Sequence, residues 1–378
     1  MKESALPQSG TRSNPVKVMI VDDSAFMRFA IAQQLNEHPE ITVIGTASNG
    51  KEALKLIPKL QPDVITLDVE MPHMDGLTTL RHIMSDFPRP VIMFSSLTKE
   101  GAAETIQALM LGAVDFIPKP ANRTDISAVM SDMTRKIVQA AKAKVKFVRL
   151  QPAIPVAAAR NNQPSKKLGV YHKTAPVVLI GSSTGGPGAL SEVVPALPAD
   201  FPSPVLIVQH MPSGFTHSLS ERLNSISQLH VKEAEPGDSL MVGQVVLAPG
   251  GFHMTIDENE KIALNQKPTV HGVRPAVDVT LTSLIQRFGK NIIAVIMTGM
   301  GSDGTHGTSL LHSDGGYVIA EHESTCVVWG MPRSVVEANA ADAVLPRPQI
   351  ASAIEEAVHT LTGRGDLSRS SNTLSPLR

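Results

Sequence analysis

A serine, a histidine and an aspartate, each set after an apolar run, are the residue types here that can perform covalent chemistry together. Gly181, Ser183 and Gly185 satisfy G-x-S-x-G, a pattern that projects a serine from a sharp strand-to-helix turn, where the helix N-terminus stabilises negative charge. The glycines also invite a dinucleotide phosphate loop, but that spacing fails because no glycine follows Gly181 until Gly185. A turn with no chemistry also fits a lone five-residue match. A serine hydroxyl is a weak nucleophile near neutral pH, so the pattern demands a base and an acid that orients the base. His210 follows the apolar run Val205 to Gln209 and is the first candidate base; His253, behind Pro249, Gly250 and Gly251, is the second. Asp303 lies in Thr298-Gly299-Met300-Gly301-Ser302-Asp303-Gly304 and is the candidate acid, with Asp278 less well placed. The Met300 amide in that glycine turn is a candidate oxyanion donor.

A second constellation lies earlier. Asp22 and Asp23 follow the first apolar run, Asp68 the third, and Lys119 the fifth. At the carboxyl edge of a doubly wound sheet such residues converge into one pocket. Carboxylates this close repel one another unless a cation intervenes, and hard oxygen ligands suit Mg²⁺. One of them, best Asp68, can then attack a phosphoryl donor while the ion and an ammonium offset the developing charge. The plainer use of Asp22 and Asp23 is to cap the helix that follows.

These placements depend on the elements around them. Val16–Val21, Ile41–Ala47, Val64–Leu67, Val91–Phe94 and Asp115–Ile117 are short apolar runs separated by helical stretches, with a closing helix expected over Thr124–Ala141. That pattern predicts a five-stranded parallel sheet of flavodoxin-like type. Residues 142–173 hold eight Lys or Arg, no acid and three prolines, which reads as a solvated linker. A second α/β series spans 174–365, with strands at Val177–Ile180, Val205–Val208, Val245–Ala248, Ile292–Met297 and Val318–Ala320. This predicts a doubly wound, mostly parallel sheet, with an antiparallel excursion in the Gly- and Pro-rich stretch Val231–Gln266. Residues 366–378 are Ser-rich and read as a frayed tail. A net charge of −1 argues against a nucleic-acid partner. The single cysteine, Cys326, fits a reducing cytoplasm, and no apolar run approaches the roughly 20 residues of a membrane span.

Val21-Asp22-Asp23-Ser24, Leu67-Asp68-Val69-Glu70-Met71-Pro72-His73-Met74-Asp75-Gly76, Ser95-Ser96 and Lys119-Pro120 occur in that order and together resemble a response-regulator receiver. The resemblance implies that Asp68 is the phosphoacceptor and that Asp22, Asp23 and the Glu70 carbonyl join it in holding Mg²⁺. It further implies that Lys119 contacts the phosphoryl group and that Ser95 and Phe116 are the switch positions. Taken singly, Ser95 is as well read as a loop hydroxyl and Phe116 as a core ring.

Gly181-Ser182-Ser183-Thr184-Gly185-Gly186, Gln209-His210-Met211-Pro212, Leu247-Ala248-Pro249-Gly250, Arg274-Pro275, the 298–304 turn and Gly330-Met331-Pro332 resemble the catalytic domain of the chemotaxis methylesterase (CheB) family. By that resemblance Ser183 is the nucleophile, His210 the base, Asp303 its orienter, Met300 an oxyanion donor and Thr184 an active-site neighbour. Ser182 departs from the alanine common in the family and places a second hydroxyl beside the nucleophile. The implied activity is hydrolysis of γ-glutamyl methyl esters, and deamidation of glutamines, on methylated chemoreceptors, with no cofactor for hydrolysis and a CheA-type histidine kinase as phosphodonor. The same hydrolase serving a non-chemotactic receptor, or a non-catalytic phospho-sensor adaptor, are the alternatives.

Overall fold

A computed structural model describes residues 14–96, 98–119, 126–143, 168–172 and 175–363. Contacts divide the chain into two compact units, with divisions at Ser96, Gly112 and Leu150.

The receiver-like sequence alternates strands β1 (Val16–Val21), β2 (Ile41–Ala47), β3 (Val64–Asp68), β4 (Val91–Ser95) and β5 (Asp115–Pro118) with helices α1 (Ala25–Asn36), α2 (Gly50–Leu60), α3 (Gly76–Asp86), α4 (Lys99–Met110) and α5 (Ile126–Ala140). All strand pairings are parallel, in the order β2-β1-β3-β4-β5. The central strands are apolar on both faces because helices cover both, so β3 and β4 are buried along their whole lengths. Helix starts follow the local chemistry. Ser24, Asn49, Asp75 and Thr98 each accept a backbone N–H three residues on, giving an acceptor to one orphan N–H at each helix start. Asp22 and Asp23 are therefore not the caps of α1; Ser24 is. The start of the closing helix expected at 124–125 lies outside the described residues, as do most of the expected linker and the whole 366–378 tail.

The second series adds β6 (Gly169–Val170), β7 (Val177–Ser182), α6 (Gly186–Ala196), β8 (Val205–Gln209), α7 (Phe215–Ile226), β9 (His230–Glu233), β10 (Met241–Val242), β11 (Gln244–Leu247), β12 (His253–Ile256), β13 (Ile262–Asn265), α8 (Val277–Phe288), β14 (Ile292–Ile296), α9 (Thr305–Ser313), β15 (Tyr317–Glu321), α10 (Met331–Glu337), β16 (Ala343–Leu345) and α11 (Ile350–Leu361). Seven strands form one all-parallel sheet, β16-β15-β14-β7-β8-β11-β9. Its core gathers Leu179, Leu206, Val246, Leu281, Ala294 and Met331, all but fully buried.

The antiparallel excursion is present but smaller than expected: β12 and β13 form a hairpin, and β10 pairs antiparallel with β6. Strands β9 and β11, inside the same stretch, instead join the main sheet in parallel. Strand β6 lies at the end of the segment read as linker, where the Tyr171 hydroxyl donates to the Ala175 carbonyl at 3.0 Å and its ring meets Phe288 edge-on. No helix among the described residues is long and apolar enough to cross a membrane.

Candidate active site and phosphoacceptor site

Strand β7 lies between β14 and β8 in the sheet, and all three run in parallel. Their carboxyl ends therefore share one edge, where Ser183, His210 and the 298–304 turn emerge. Ser182 pairs with Gln209 across β7 and β8, and the His210 amide donates to the Ser182 carbonyl at 3.0 Å. Residues 183 and 210 thus leave the sheet side by side. The His210 ring makes a 2.7 Å contact from Nε2 to Asp303 Oδ2. Because His210 comes from β8 and Asp303 from beyond β14, this pair reaches across the end of β7, where Ser183 begins its turn. With Nε2 held by the carboxylate, Nδ1 is the ring nitrogen left to exchange a proton with a hydroxyl.

Asp303 is 1% exposed and has three donors: His210 Nε2 and the Val277 amide (2.6 Å) on Oδ2, and the Asp278 amide (3.0 Å) on Oδ1. Burial works against its charge, but the His210 contact and the two amides of α8 outweigh it and hold its pKa below the usual carboxylate value. Asp278 serves elsewhere: it accepts the Gly307 amide at 2.8 Å and contacts His271 Nε2 at 2.8 Å. The second candidate base, His253, is 1% exposed within the β12–β13 hairpin, its Nε2 at 3.1 Å from the Pro268 carbonyl. It is the first residue of β12, beyond the end of β11, and so belongs to the hairpin rather than directly to the end of a main-sheet strand.

The turn from β7 into α6 is built on Gly185, whose φ of 77° suits glycine, and on Pro187 in the first helical turn. Ser183 is partly exposed, and its amide donates to the Thr298 carbonyl at 3.0 Å. Ser182 is fully buried and donates to Gln209 Oε1 at 2.7 Å, while Gln209 Nε2 donates to the Ser183 carbonyl at 2.9 Å. The extra hydroxyl is thus a strut beneath the turn rather than a rival at the surface. Thr184 is buried and its carbonyl accepts the Thr298 hydroxyl at 3.0 Å. Met300, partly exposed, sits in the 299–301 turn, where a Cβ on Gly299 would lie 2.8 Å from Ser183 Cβ. Sequence reasoning missed Thr298 and Gln209, although each is a polar residue closing or following an apolar strand beside a candidate.

In the first unit, Asp22, Asp23 and Asp68 bring one oxygen each within 4.8 Å of one another. Lys119 Nζ donates to Asp68 Oδ2 at 2.7 Å, and the Glu70 amide lies 3.3 Å from Asp68 Oδ1. Burial pushes the Asp68 carboxyl up to about 6 even with Lys119 beside it, and burial likewise raises Asp22. Asp22 Oδ1 accepts the Ser24 amide at 2.8 Å, but the buried Oδ2 has no hydrogen-bond partner. An orphaned carboxylate oxygen among three carboxylates is the deficit a hard divalent cation fills, so these residues fit Mg²⁺. Ser95 and Phe116 are both buried, on β4 and β5; the Ser95 hydroxyl is 3.2 Å from the Ser96 carbonyl, and Lys136 Nζ lies 5.4 Å from the Phe116 ring centroid. The exposed Glu70 side chain accepts the Ser96 hydroxyl at 2.8 Å.

Comparison with known proteins places both halves of the chain in described families. Residues 178–354 match the family model described as CheB methylesterase, and residues 18–131 match that of the response regulator receiver domain. A protein-glutamate methylesterase/protein-glutamine glutaminase from Symbiobacterium thermophilum is 49% identical over 352 residues, covering 91% of this chain and 97% of the relative. One of the same description from Archaeoglobus fulgidus is 47% identical over 345 residues, covering 90% and 97%. Among solved structures, the Thermotoga maritima CheB methylesterase catalytic domain is 49% identical, covering 49% of this chain and 99% of its own, at a TM-score of 0.48. The response regulator domain of T. maritima CheB is 44% identical, covering 35% and 99%, at 0.33. The chain belongs to the CheB family, in which a response regulator receiver precedes a methylesterase domain.

Proposed function

We propose that this chain is a phosphorylation-activated serine hydrolase that demethylates γ-glutamyl methyl esters on chemoreceptors and deamidates selected receptor glutamines in the cytoplasm. In this reading residues 16–141 are the receiver, 142–173 the linker and 174–365 the hydrolase. The observation that carries it is the His210–Asp303 pair, 2.7 Å long, reaching across the strand end from which Ser183 emerges, in a chain whose relatives are described as protein-glutamate methylesterases/protein-glutamine glutaminases.

Ser183 Oγ attacks the side-chain carbonyl carbon of the ester as its proton passes to His210 Nδ1. Asp303 stabilises the imidazolium so formed, and the Met300 amide, with the Thr184 segment alongside, stabilises the oxyanion. The carbon–oxygen bond to the methoxy group breaks, and methanol departs with the proton from His210. Water then attacks the acyl-enzyme with His210 again as base, freeing glutamate and Ser183 Oγ–H. For an amide the leaving group is ammonia.

In the receiver, Asp68 is the phosphoacceptor for a histidine kinase of the CheA type. Mg²⁺ held by Asp22, Asp23, Asp68 and the Glu70 carbonyl would offset the charge of the incoming phosphoryl group. Lys119 contacts that group, and Ser95 with Phe116 relays its presence, so that phosphorylation relieves inhibition of the hydrolase. The test is methanol release from membranes bearing methylated chemoreceptors, with and without acetyl phosphate. Release should rise with the phosphodonor and vanish in Ser183→Ala. Release that persists in Ser183→Ala refutes the hydrolytic assignment, and equal rates with and without the phosphodonor refute the gating.

A further inference from the structure

Glu321 ends β15 as a carboxylate with no exposed surface, in a place the chemistry above does not use. Its Oε2 accepts the Thr298 amide at 2.8 Å and its Oε1 accepts Arg347 Nε at 3.0 Å. Arg347 stands in a short 3-10 turn, Arg347–Gln349, and reaches further. Its Nη1 donates to Glu192 of α6 at 2.9 Å, its Nη2 to the Thr325 carbonyl, and its backbone amide to Thr325 Oγ1 at 3.0 Å. One guanidinium thereby ties the end of β15, the loop after it and the helix that follows the serine turn.

Thr298, at the other end of Glu321, is joined to two loops at the edge, the serine turn and the 327–328 segment. Its carbonyl accepts the Ser183 amide at 3.0 Å. Its hydroxyl donates to the Thr184 carbonyl at 3.0 Å and accepts the Val327 and Val328 amides, each at 3.1 Å. The Gly299 amide then donates to the Val328 carbonyl at 3.0 Å, and the Gly299 carbonyl accepts the Met331 amide at 2.8 Å. There is little slack in this packing. A Cβ on Gly330 would lie 2.7 Å from the Gly299 carbonyl oxygen and 3.2 Å from Met300 Cα. A displaced Thr298 therefore moves the Ser183 amide and the Met300 turn together.

A buried ion pair is a poor way to gain stability, because desolvation offsets most of the attraction and an apolar pair of like volume serves as well. A carboxylate does provide a directional, charge-assisted acceptor for one backbone amide. We infer that the Glu321–Arg347 pair is a positioning device for hydrolysis: it fixes Thr298, and through Thr298 the spacing between the Ser183 nucleophile and the oxyanion-binding turn. This rests on the serine-hydrolase reading and adds two positioning residues to it.

The test uses the full chain with saturating acetyl phosphate and Mg²⁺, and a peptide bearing a γ-glutamyl methyl ester. Glu321→Gln and the double variant Glu321→Leu with Arg347→Met are compared with the parent and with Ser183→Ala, with unfolding followed in parallel. The double variant removes both charges together, so a purely stabilising pair would change its unfolding but leave its rate near the parent. The expected result is a modest loss of stability, because the buried Thr298 amide loses its acceptor, with kcat lower by about 10- to 100-fold, the scale on which small displacements of reacting groups act, and KM changed by no more than about twofold. Glu321→Gln, which turns an acceptor into a donor facing Arg347 or Thr298, should lose kcat in the same way. A folded double variant with kcat within about threefold of the parent overturns the inference while the hydrolase reading survives, provided Ser183→Ala is inactive; an active Ser183→Ala overturns both. If the double variant does not fold, Glu321→Gln decides alone by the same kcat criterion.

Discussion

Replacing Asp303 by asparagine separates charge from hydrogen bonding at the centre of the site. The carboxylate takes two donors on Oδ2, from His210 and the Val277 amide, and one on Oδ1, from the Asp278 amide. An asparagine with its carbonyl at the Oδ2 position keeps two of the three bonds and turns its NH₂ against a single N–H. The opposite orientation opposes two. The first therefore prevails, and His210 keeps its proton on Nε2 with Nδ1 free to accept from Ser183. What disappears is the negative charge that stabilises the imidazolium. Unit charges about 4 Å apart at an effective dielectric near 20 interact by about 4 kcal/mol, which corresponds to roughly a 10³-fold fall in kcat. An amide flip that reversed the tautomer would carry the loss toward about 10⁴-fold. The Asp278 amide, left facing a donor in a buried place, should cost about 1–3 kcal/mol of stability.

The assay is kcat for methanol release from a γ-glutamyl methyl ester peptide at saturating acetyl phosphate, with urea unfolding alongside. The pH dependence supplies a second measure. Asp303 has a folded pKa below its unfolded value, so the stability it contributes is complete above about pH 4 and is lost as pH falls through the depressed value. The stability gap between parent and Asp303→Asn should shrink below about pH 4. A folded variant with kcat within about tenfold of the parent, in an assay where Ser183→Ala is dead, would show that this carboxylate does not stabilise the base.

Ser182→Ala removes the buried donor to Gln209 Oε1, so it should lower the unfolding free energy by about 1–3 kcal/mol yet leave kcat within a few-fold of the parent; loss of all methanol release would instead make Ser182 part of the chemistry. Gly299→Ala places a methyl 2.8 Å from Ser183 Cβ and 3.0 Å from the Ser183 amide nitrogen, with Met331 Sδ also in contact. Its kcat should fall by about 10²-fold with a smaller change in KM, as steady-state kinetics on the peptide ester will measure. Mg²⁺ at 100 times its dissociation constant should stabilise the receiver by about 2.7 kcal/mol, read from urea unfolding of the full chain. Asp22→Asn, which neutralises the carboxylate with the orphaned oxygen, should abolish that gain.

The residues of the site were legible to the extent that continuous apolar strands reveal where they end. β7, β8 and β14 are buried along their lengths, so the polar residues after them had to lie at one sheet edge, and Ser183, His210 and Asp303 do. His253 could be ranked second but not dismissed, because it too follows a short apolar run; β12 belongs to a hairpin apart from the main sheet, and periodicity within four residues cannot tell the two apart. The same brevity hid the parallel pairing of β9 with β11. Choosing Asp303 over Asp278 followed from the glycine turn, whereas the partners of Asp278 lie on opposite sides of it in sequence. Thr298, Gln209 and Glu321 stand at or beside strand ends as polar residues in apolar surroundings. Which atom each of them meets depends on segments that return from 23 to 114 residues away, and no local pattern encodes that.

Two groups of acids now stand at the carboxyl ends of two parallel sheets, and they differ in how many donors the backbone gives them. Asp22, Asp23 and Asp68 have the Ser24 amide, a long contact to the Glu70 amide, Lys119, and one buried oxygen with nothing. Burial dominates there and raises Asp68 and Asp22. His271, Asp278 and Asp303 also bring ligand atoms within 4.8 Å of one another, yet both of these carboxylates are engaged: Asp303 caps the start of α8 through two amides, and Asp278 caps α9 through Gly307. The helix ends supply the positive charge that a metal would otherwise provide. A group short of donors calls for a cation and suits phosphoryl chemistry, whereas one rich in backbone donors keeps a carboxylate charged without a cation, as a partner for an imidazole must be. On the proposed function, the same residue type at equivalent sheet edges is thus directed to two chemistries by the number of N–H groups aimed at it.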